Sequence, residues 1–222
     1  MNFRSILSLS FLIVFLFACS EQQVEVKYRI AMVGDSITYN GGDENPDAWI
    51  HKLREKLGPE YEVLNFGVNG ATALKLSNKP YWDQPEFDSS LASQADAVFI
   101  MLGTNDSKDE NWRGGNNNFK IDYINFINAY KNLPQRPKIW VGKNLPAYAD
   151  AWTINGDVIE QQIHPDVNHI TVLTKTELVD LHKDFVNEHE LFRDGIHPNV
   201  EGGKILALRL AELIQAHFEE AN

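Results

Sequence analysis

From Lys27 onward, short apolar runs rich in β-branched and aromatic residues alternate with longer stretches of helical period. A chain patterned this way folds as successive βαβ units around a mostly parallel sheet. The candidate strands are Tyr28 to Val33, Tyr61 to Phe66, Ala97 to Leu102, Lys138 to Val141 and His169 to Leu173. Several are apolar at both alternating positions, as strands covered by helices on both faces should be. Helices are expected over Ala48 to Leu57, Ile121 to Asn132, Asn155 to Ile163 and Val200 to Phe218, the last with Ile205, Leu206, Leu210, Leu213 and Ile214 at helical spacing. The stretches Asn40 to Pro46, Ser77 to Ser90 and Asp106 to Asn118 are rich in Asn, Gly, Pro, Trp and charge and read as loops. In an open parallel sheet the loops after the C-terminal ends of the strands build the site.

The N-terminus has a different character. Arg4 precedes an apolar run from Ile6 to Ala18, too short to span a bilayer as a helix and patterned as a secretory signal. It ends Leu16-Phe17-Ala18-Cys19-Ser20, which resembles a bacterial lipobox, implying lipidation of Cys19 and cleavage before it. The expected organisation is a signal peptide over 1–18, a polar tether over 19–26 and one globular domain over 27–222, with the protein exported and held on the periplasmic or cell-surface face of a membrane. Cys19 is the single cysteine, so no intramolecular disulfide can form and stability must come from the core. Without residues 1–18 the chain has 19 Lys and Arg against 31 Asp and Glu, a balance of −12. Such a surface repels phosphate backbones and anionic headgroups, so no nucleic-acid partner is expected and membrane association would run through the Cys19 acyl anchor alone.

Four motifs fall at strand ends. Gly34-Asp35-Ser36 follows the first run and leaves a serine hydroxyl where a helix begins; alone, the triplet is also common turn chemistry. Asp194-Gly195-Ile196-His197-Pro198 precedes the last helix. A serine nucleophile needs a base, and the base needs a carboxylate to set its tautomer and stabilise the imidazolium. Asp194 can serve His197 only if the chain turns back between them, which Gly195 makes easy. Gly103-Thr104-Asn105-Asp106 puts an amide side chain at the third strand's end, and Asn65-Phe66-Gly67-Val68-Asn69-Gly70-Ala71-Thr72 brings glycine backbone to the second. Acyl transfer requires donors aimed at the developing oxyanion; the Asn105 amide and the backbone N–H groups of Gly70 and Ser36 are the candidates.

Together and in this order the motifs resemble the SGNH subgroup of the GDSL hydrolases over nearly the whole chain after the leader. The resemblance implies the α/β SGNH hydrolase fold, a three-layer α/β/α sandwich with a mostly parallel, five-stranded, flavodoxin-like sheet. It implies Ser36 as nucleophile, His197 as base, Asp194 as its orienter, and Ser36, Gly70 and Asn105 as the oxyanion hole. Residue 38 is threonine, so the run is not the Gly-x-Ser-x-Gly elbow of α/β-hydrolases.

Lys79-Pro80-Tyr81-Trp82, Gly103 to Trp112 and Pro146-Ala147-Tyr148 look like exported bacterial SGNH esterases that deacetylate carbohydrates, of sialate or acetylxylan type. The expectation is a serine esterase on a small-molecule or glycan ester, with O-acetyl as the acyl group and Tyr81, Trp82, Trp112 and Trp152 as candidate sugar-binding residues. A lysophospholipase or thioesterase with the same machinery, and a non-catalytic glycan-binding protein on a hydrolase scaffold, are the alternatives. No cofactor or metal is expected, since neither His164 with His169 nor His182 with His189 has ligand spacing and no cysteine joins them.

Overall fold

The computed structural model describes residues 24–112, 118–149 and 151–220. The leader and Cys19 lie outside the described residues. In chain order the elements are β1 (Tyr28–Gly34), α1 (Ser36–Tyr39), α2 (Trp49–Leu57), β2 (Tyr61–Gly67), α3 (Pro85–Ala92), β3 (Ala97–Met101), α4 (Asp109–Trp112) and α5 (Asn118–Lys131). Then come β4 (Lys138–Gly142), α6 (Gly156–Val158), a π-turn over Ile159–Ile163, α7 (His164–Thr174), β5 (Glu177–Val179) and α8 (Val200–Glu220). The five strands form one parallel sheet in the order β2-β1-β3-β4-β5, the flavodoxin-like arrangement, in which the order reverses beside β1.

Strand alternation divides the core into two layers. Ala31, Val33, Val98, Ile100, Ile139 and Val141 face one way, onto Phe126, Ile127, Val167 and Ile170 of α5 and α7. Ile30, Met32, Phe99, Met101 and Trp140 face the other, onto Trp49, Leu53, Leu206 and Leu210 of α2 and α8. Nearly all of these side chains are fully buried, each worth roughly 1.5–3 kcal/mol of transfer free energy, and the sheet is thereby covered on both faces.

The register brings the strand ends level. Gly34 pairs with Gly67 of β2 and with Met101 of β3, so the loops after β1, β2 and β3 emerge side by side. Close packing there demands glycine. A Cβ on Gly67 would lie 2.1 Å from the Tyr39 nitrogen, and one on Gly34 2.7 Å from the Met101 oxygen; both obstacles are backbone, which cannot swing away.

The structure corrects the fifth strand. His169 to Leu173 lies inside α7, and the strand is the three-residue β5 that follows. The β-branched content of that run suggests a strand, but Val167, Ile170, Thr171 and Thr174 fall on one buried helical face while Val172 and Leu173 are exposed. Tertiary burial of one face overrides the local preference. The helix expected over 155–163 therefore continues to Thr174, through the π-turn, where the His164 N–H donates to Ile159 O. Pro165 lacks an N–H and crowds the preceding turn, which is where such ladder shifts arise. The loop expected over 77–90 holds a 3₁₀ turn at Tyr81–Asp83 and the start of α3. Pro85 sits at the first turn of α3, where a missing N–H costs nothing, with Glu86 and Asp88 favourably placed against the helix dipole. The loop expected over 106–118 likewise holds α4.

Candidate active site

Ser36 is the first residue of α1, and Asp35 caps that turn by accepting from the Ile37 N–H at 2.9 Å. Helix geometry leaves the opening N–H groups of such a turn without intrahelical partners. From the far end of the chain, Asp194 organises a tight turn: its Oδ1 accepts from the Ile196 N–H at 3.0 Å and the His197 N–H at 2.7 Å. Gly195 takes φ +81° there, and the Tyr148 N–H donates to its carbonyl at 2.8 Å. The turn delivers the second carboxylate oxygen to the imidazole, with Asp194 Oδ2 2.8 Å from His197 Nδ1. His197 Nε2 lies 2.8 Å from Ser36 Oγ across 161 residues of sequence. Only a protonated Nδ1 can donate to a carboxylate, so the Nε2 lone pair faces the hydroxyl and can accept its proton.

Burial alone would raise the Asp194 carboxyl. The His197 amide and ring and the Ile196 amide outweigh it and hold the group below the ordinary carboxylate value, so it is ionised wherever His197 needs a counter-charge.

The donors lie across the same opening. Gly70 adopts φ +77°, a left-handed conformation that glycine reaches without penalty. Asn105 is buried at the start of the turn after β3, and its Nδ2 donates to Ala71 O at 3.2 Å. One hydrogen of an amide's two is thereby used and the other remains for a ligand. Ser36, Gly70, Asn105, Asp194 and His197 all line a cavity of about 560 Å³, together with Tyr39, Gly41, Asn69, Lys108, Trp152, Ile154 and Arg193.

The four aromatic candidates separate. Tyr81 is fully buried and donates to Phe66 O at 2.5 Å. Trp112 is buried against Phe119 and donates to Gln162 Oε1 at 2.8 Å. Trp82 packs on Phe87 and Phe126 and donates to Ala73 O at 3.0 Å. These three hold loops onto the core, because a large ring with one polar handle is stable buried when that handle finds a carbonyl; the expectation that they meet sugar is corrected. Trp152 alone of the four lines the cavity. It is 58% exposed and stands edge-on to the His197 ring at 5.2 Å. Its φ of +53° and the +60° of Thr153 are costly for side chains branching from an L-backbone, about 1–2 kcal/mol each. The fold holds this indole at the cavity mouth against its local preference.

Asp106 is a site residue whose neighbours had pointed only to a turn. Fully buried, it accepts from the Ala73 N–H at 3.0 Å and the Leu74 N–H at 2.8 Å, tying the loop that carries Gly70 to the loop that carries Asn105. Asn111 adds a second stitch, donating to Asn105 O at 2.8 Å and accepting from the Asn78 N–H at 2.9 Å. Burial pushes the Asp106 carboxyl up to about 7 against the opposing Leu74 and Ala73 amides, with the Asp35 charge adding to the rise. Burial likewise lifts Asp35 to about 6, opposed chiefly by the Ile37 amide and the Thr104 hydroxyl.

A group whose folded value is raised stabilises the fold when protonated, and that stability is lost as pH rises through the folded value. Asp106→Asn keeps one acceptor but sets an NH₂ against a buried N–H, so the variant should be about 1–3 kcal/mol less stable at pH 5. Its deficit should shrink between pH 4 and about 7, where the carboxyl of the unfolded wild type is ionised while the folded one still holds its proton. Melting temperatures of both proteins across that range read this directly; a deficit that grows with pH contradicts it.

Remaining histidines stand apart from the cavity. The His164 and His182 rings meet edge-on at 4.7 Å, and His189 stacks on Tyr148 at 3.7 Å. Among the described residues no helix is long and apolar enough to cross a membrane.

Comparison with known proteins places this architecture. Residues 32–205 match the model of the GDSL-like lipase/acylhydrolase family. An acetylxylan esterase of Xylanibacter ruminicola is 33% identical over 208 residues, an alignment covering 85% of this chain and 42% of that protein; the chain spans less than half the length of that relative. Among solved structures, an acetyl xylan esterase, AlAXEase, superposes with a TM-score of 0.68 at 21% identity, covering 84% of this chain and 99% of its own. A carbohydrate acetylesterase from Sinorhizobium meliloti, Est24, does so with a TM-score of 0.66 at 19% identity, covering 86% and 99%. At those identities the likeness carries the fold.

Proposed function

This chain belongs to the GDSL-like lipase/acylhydrolase family, and from that premise we propose that it is a serine esterase removing short acyl groups, acetyl foremost, from carbohydrate through an acyl-enzyme on Ser36. The observation that carries the reading is the continuous line from Asp194 through His197 to Ser36, with 2.8 Å at each step, opening on a cavity that also presents Gly70 and Asn105.

The steps follow from these positions. As Ser36 Oγ attacks the ester carbonyl, His197 Nε2 takes its proton, and Asp194 stabilises the imidazolium. The carbonyl oxygen becomes an oxyanion facing the Ser36 and Gly70 amides and the Asn105 side chain, each such donor being worth about 3–4 kcal/mol of barrier. His197 then protonates the leaving sugar hydroxyl. Water, deprotonated by the same imidazole, releases the acid from Ser36.

Acetyl is favoured by the lining. Among the described residues Ile154 is the only aliphatic side chain on the cavity wall, whose other side chains are polar, charged or aromatic. A long acyl chain needs a predominantly apolar channel; a sugar needs an aromatic face and polar groups around it, which Trp152, Asn69 and Asn105 offer. The acetylxylan esterase among the relatives supports the same substrate class. Export and anchoring at Cys19 belong to the proposal too, supported by Arg4, the apolar run over 6–18 and the Leu16-Phe17-Ala18-Cys19 sequence; they would put the enzyme where polysaccharide is met.

Acetate release from acetylated xylan, run beside acetyl-to-octanoyl esters of one alcohol, tests the reading. We expect release from the glycan and a kcat/KM that falls with chain length; a rise toward octanoyl would instead support a lipase or thioesterase. In the same assay Trp152→Ala should raise KM for an acetylated oligosaccharide roughly fivefold with little change in kcat, the ~1 kcal/mol of one covered ring face. An unchanged KM would remove Trp152 from the substrate's path.

A further inference from the structure

Two cations line the cavity, Lys108 beside the Asn105 loop and Arg193 beside Asp194. A third stands at its edge: Lys79 donates from its ammonium to Asn69 O at 2.9 Å, and its stem lies 3.8 Å from where a Gly70 side chain would begin. Asp194 is the one carboxylate on the wall among the described residues, and it is already engaged by two amides, the His197 ring and, at 3.6 Å, Arg193.

This grouping runs against the chain as a whole, whose net charge is −11. Away from the cavity several basic side chains pair with acids, as Arg29 with Glu62, Arg54 with Asp43 and Lys120 with Asp166. Lys108 has no ion pair among the described residues. Nor does the chemistry require it, since a neutral acetyl ester develops its charge on the carbonyl oxygen, which the Ser36 and Gly70 amides and Asn105 serve. Cations gathered at a cleft in an otherwise acidic protein concentrate field there and favour an anionic ligand.

We infer that the acetylated saccharide this cavity accepts is itself acidic, carrying a uronate or similar sugar carboxylate that Lys108 and Arg193 hold at the mouth, with Lys79 at the edge. The inference rests on the acetylesterase reading of the same site and narrows it. Arginine can grip such a carboxylate with two parallel N–H donors, lysine as a point charge.

Matched acetylated xylooligosaccharides, one carrying a glucuronate branch and one without it, test this directly. At low ionic strength kcat/KM should favour the acidic oligosaccharide about tenfold, each exposed cation contributing up to about fivefold. The preference should shrink toward unity near 1 M salt, where screening acts over about 3 Å. Lys108→Glu should abolish or invert it, and Arg193→Gln should reduce it severalfold; having both variants guards against one that folds badly. Equal kcat/KM for the two oligosaccharides, or a preference that neither salt nor either variant alters, overturns the inference while leaving the esterase intact. Hydrolysis of neither overturns the esterase reading and the inference together.

Discussion

Ser36→Ala is expected to lower kcat for acetyl ester hydrolysis by about 10⁵-fold or more without unfolding the protein. Among the described residues the hydroxyl is the only group that His197 Nε2 reaches with a hydrogen bond, at 2.8 Å, and no second nucleophile stands at that distance. The fold should tolerate the change because Ser36 contributes no packing that alanine cannot: α1 is capped by Asp35, and the crowded contacts belong to Gly34 and Gly67. What rate survives would come from the oxyanion donors and bound water, and the variant should still bind substrate with near wild-type affinity. Steady-state kinetics beside a melting curve separates the two effects; wild-type activity in a folded Ser36→Ala protein would remove the central residue of the mechanism.

Asp194→Asn should cost about 10⁴-fold in kcat, a large loss for the exchange of one oxygen for an amide nitrogen. Its Oδ1 would still accept from the Ile196 and His197 N–H groups, so the turn should persist. The group facing His197 Nδ1 could then present an NH₂, which favours the tautomer with its proton on Nε2 and leaves no lone pair for Ser36. The pH dependence sharpens the test. The wild-type carboxyl is held below its ordinary value, so its contribution to stability is present above pH 3.8 or so and is lost only as pH falls through the lowered value. Through the neutral range the variant should therefore show a uniformly depressed kcat and a modest lowering of melting temperature that does not vary with pH, since the contribution it lacks is constant there. A loss confined to KM would contradict the orienting role.

Much of this site is legible in the primary sequence because its parts are short, three of them just after a strand and the fourth just before the last helix. Gly34-Asp35-Ser36, Gly70, Asn105 and Asp194-Gly195-Ile196-His197 carry their own turn chemistry, and a parallel sheet of this order gathers them whatever lies between. The four sequence-proposed strands β1 to β4 are likewise clear, being apolar on both faces.

The fifth strand is not, because β5 is three residues long and carries little pattern of its own, whereas His169 to Leu173 is β-branched yet belongs to a helix whose other face is buried. Aromatic content misleads for a similar reason: Tyr81, Trp82, Trp112 and Trp152 are alike in sequence, and only packing decides that three hold loops down and one faces the cavity. Lys108, Arg193 and Asp106 flank or sit within the motifs, so adjacency was the available signal. What distinguishes them, a cationic head on the cavity wall or a carboxylate bonded to a loop more than 30 residues away, exists only in three dimensions.

The acyl-enzyme is the point on which the whole mechanism turns. Rapidly quenching the protein during turnover of an activated acetyl ester, then mapping its peptides by mass spectrometry, would read it most directly. The account predicts one acetyl group on the peptide containing Ser36, absent from Ser36→Ala and accumulating when deacylation is slowed. Turnover with no acetyl on that peptide, or acetyl carried on another residue at the same occupancy, would contradict it.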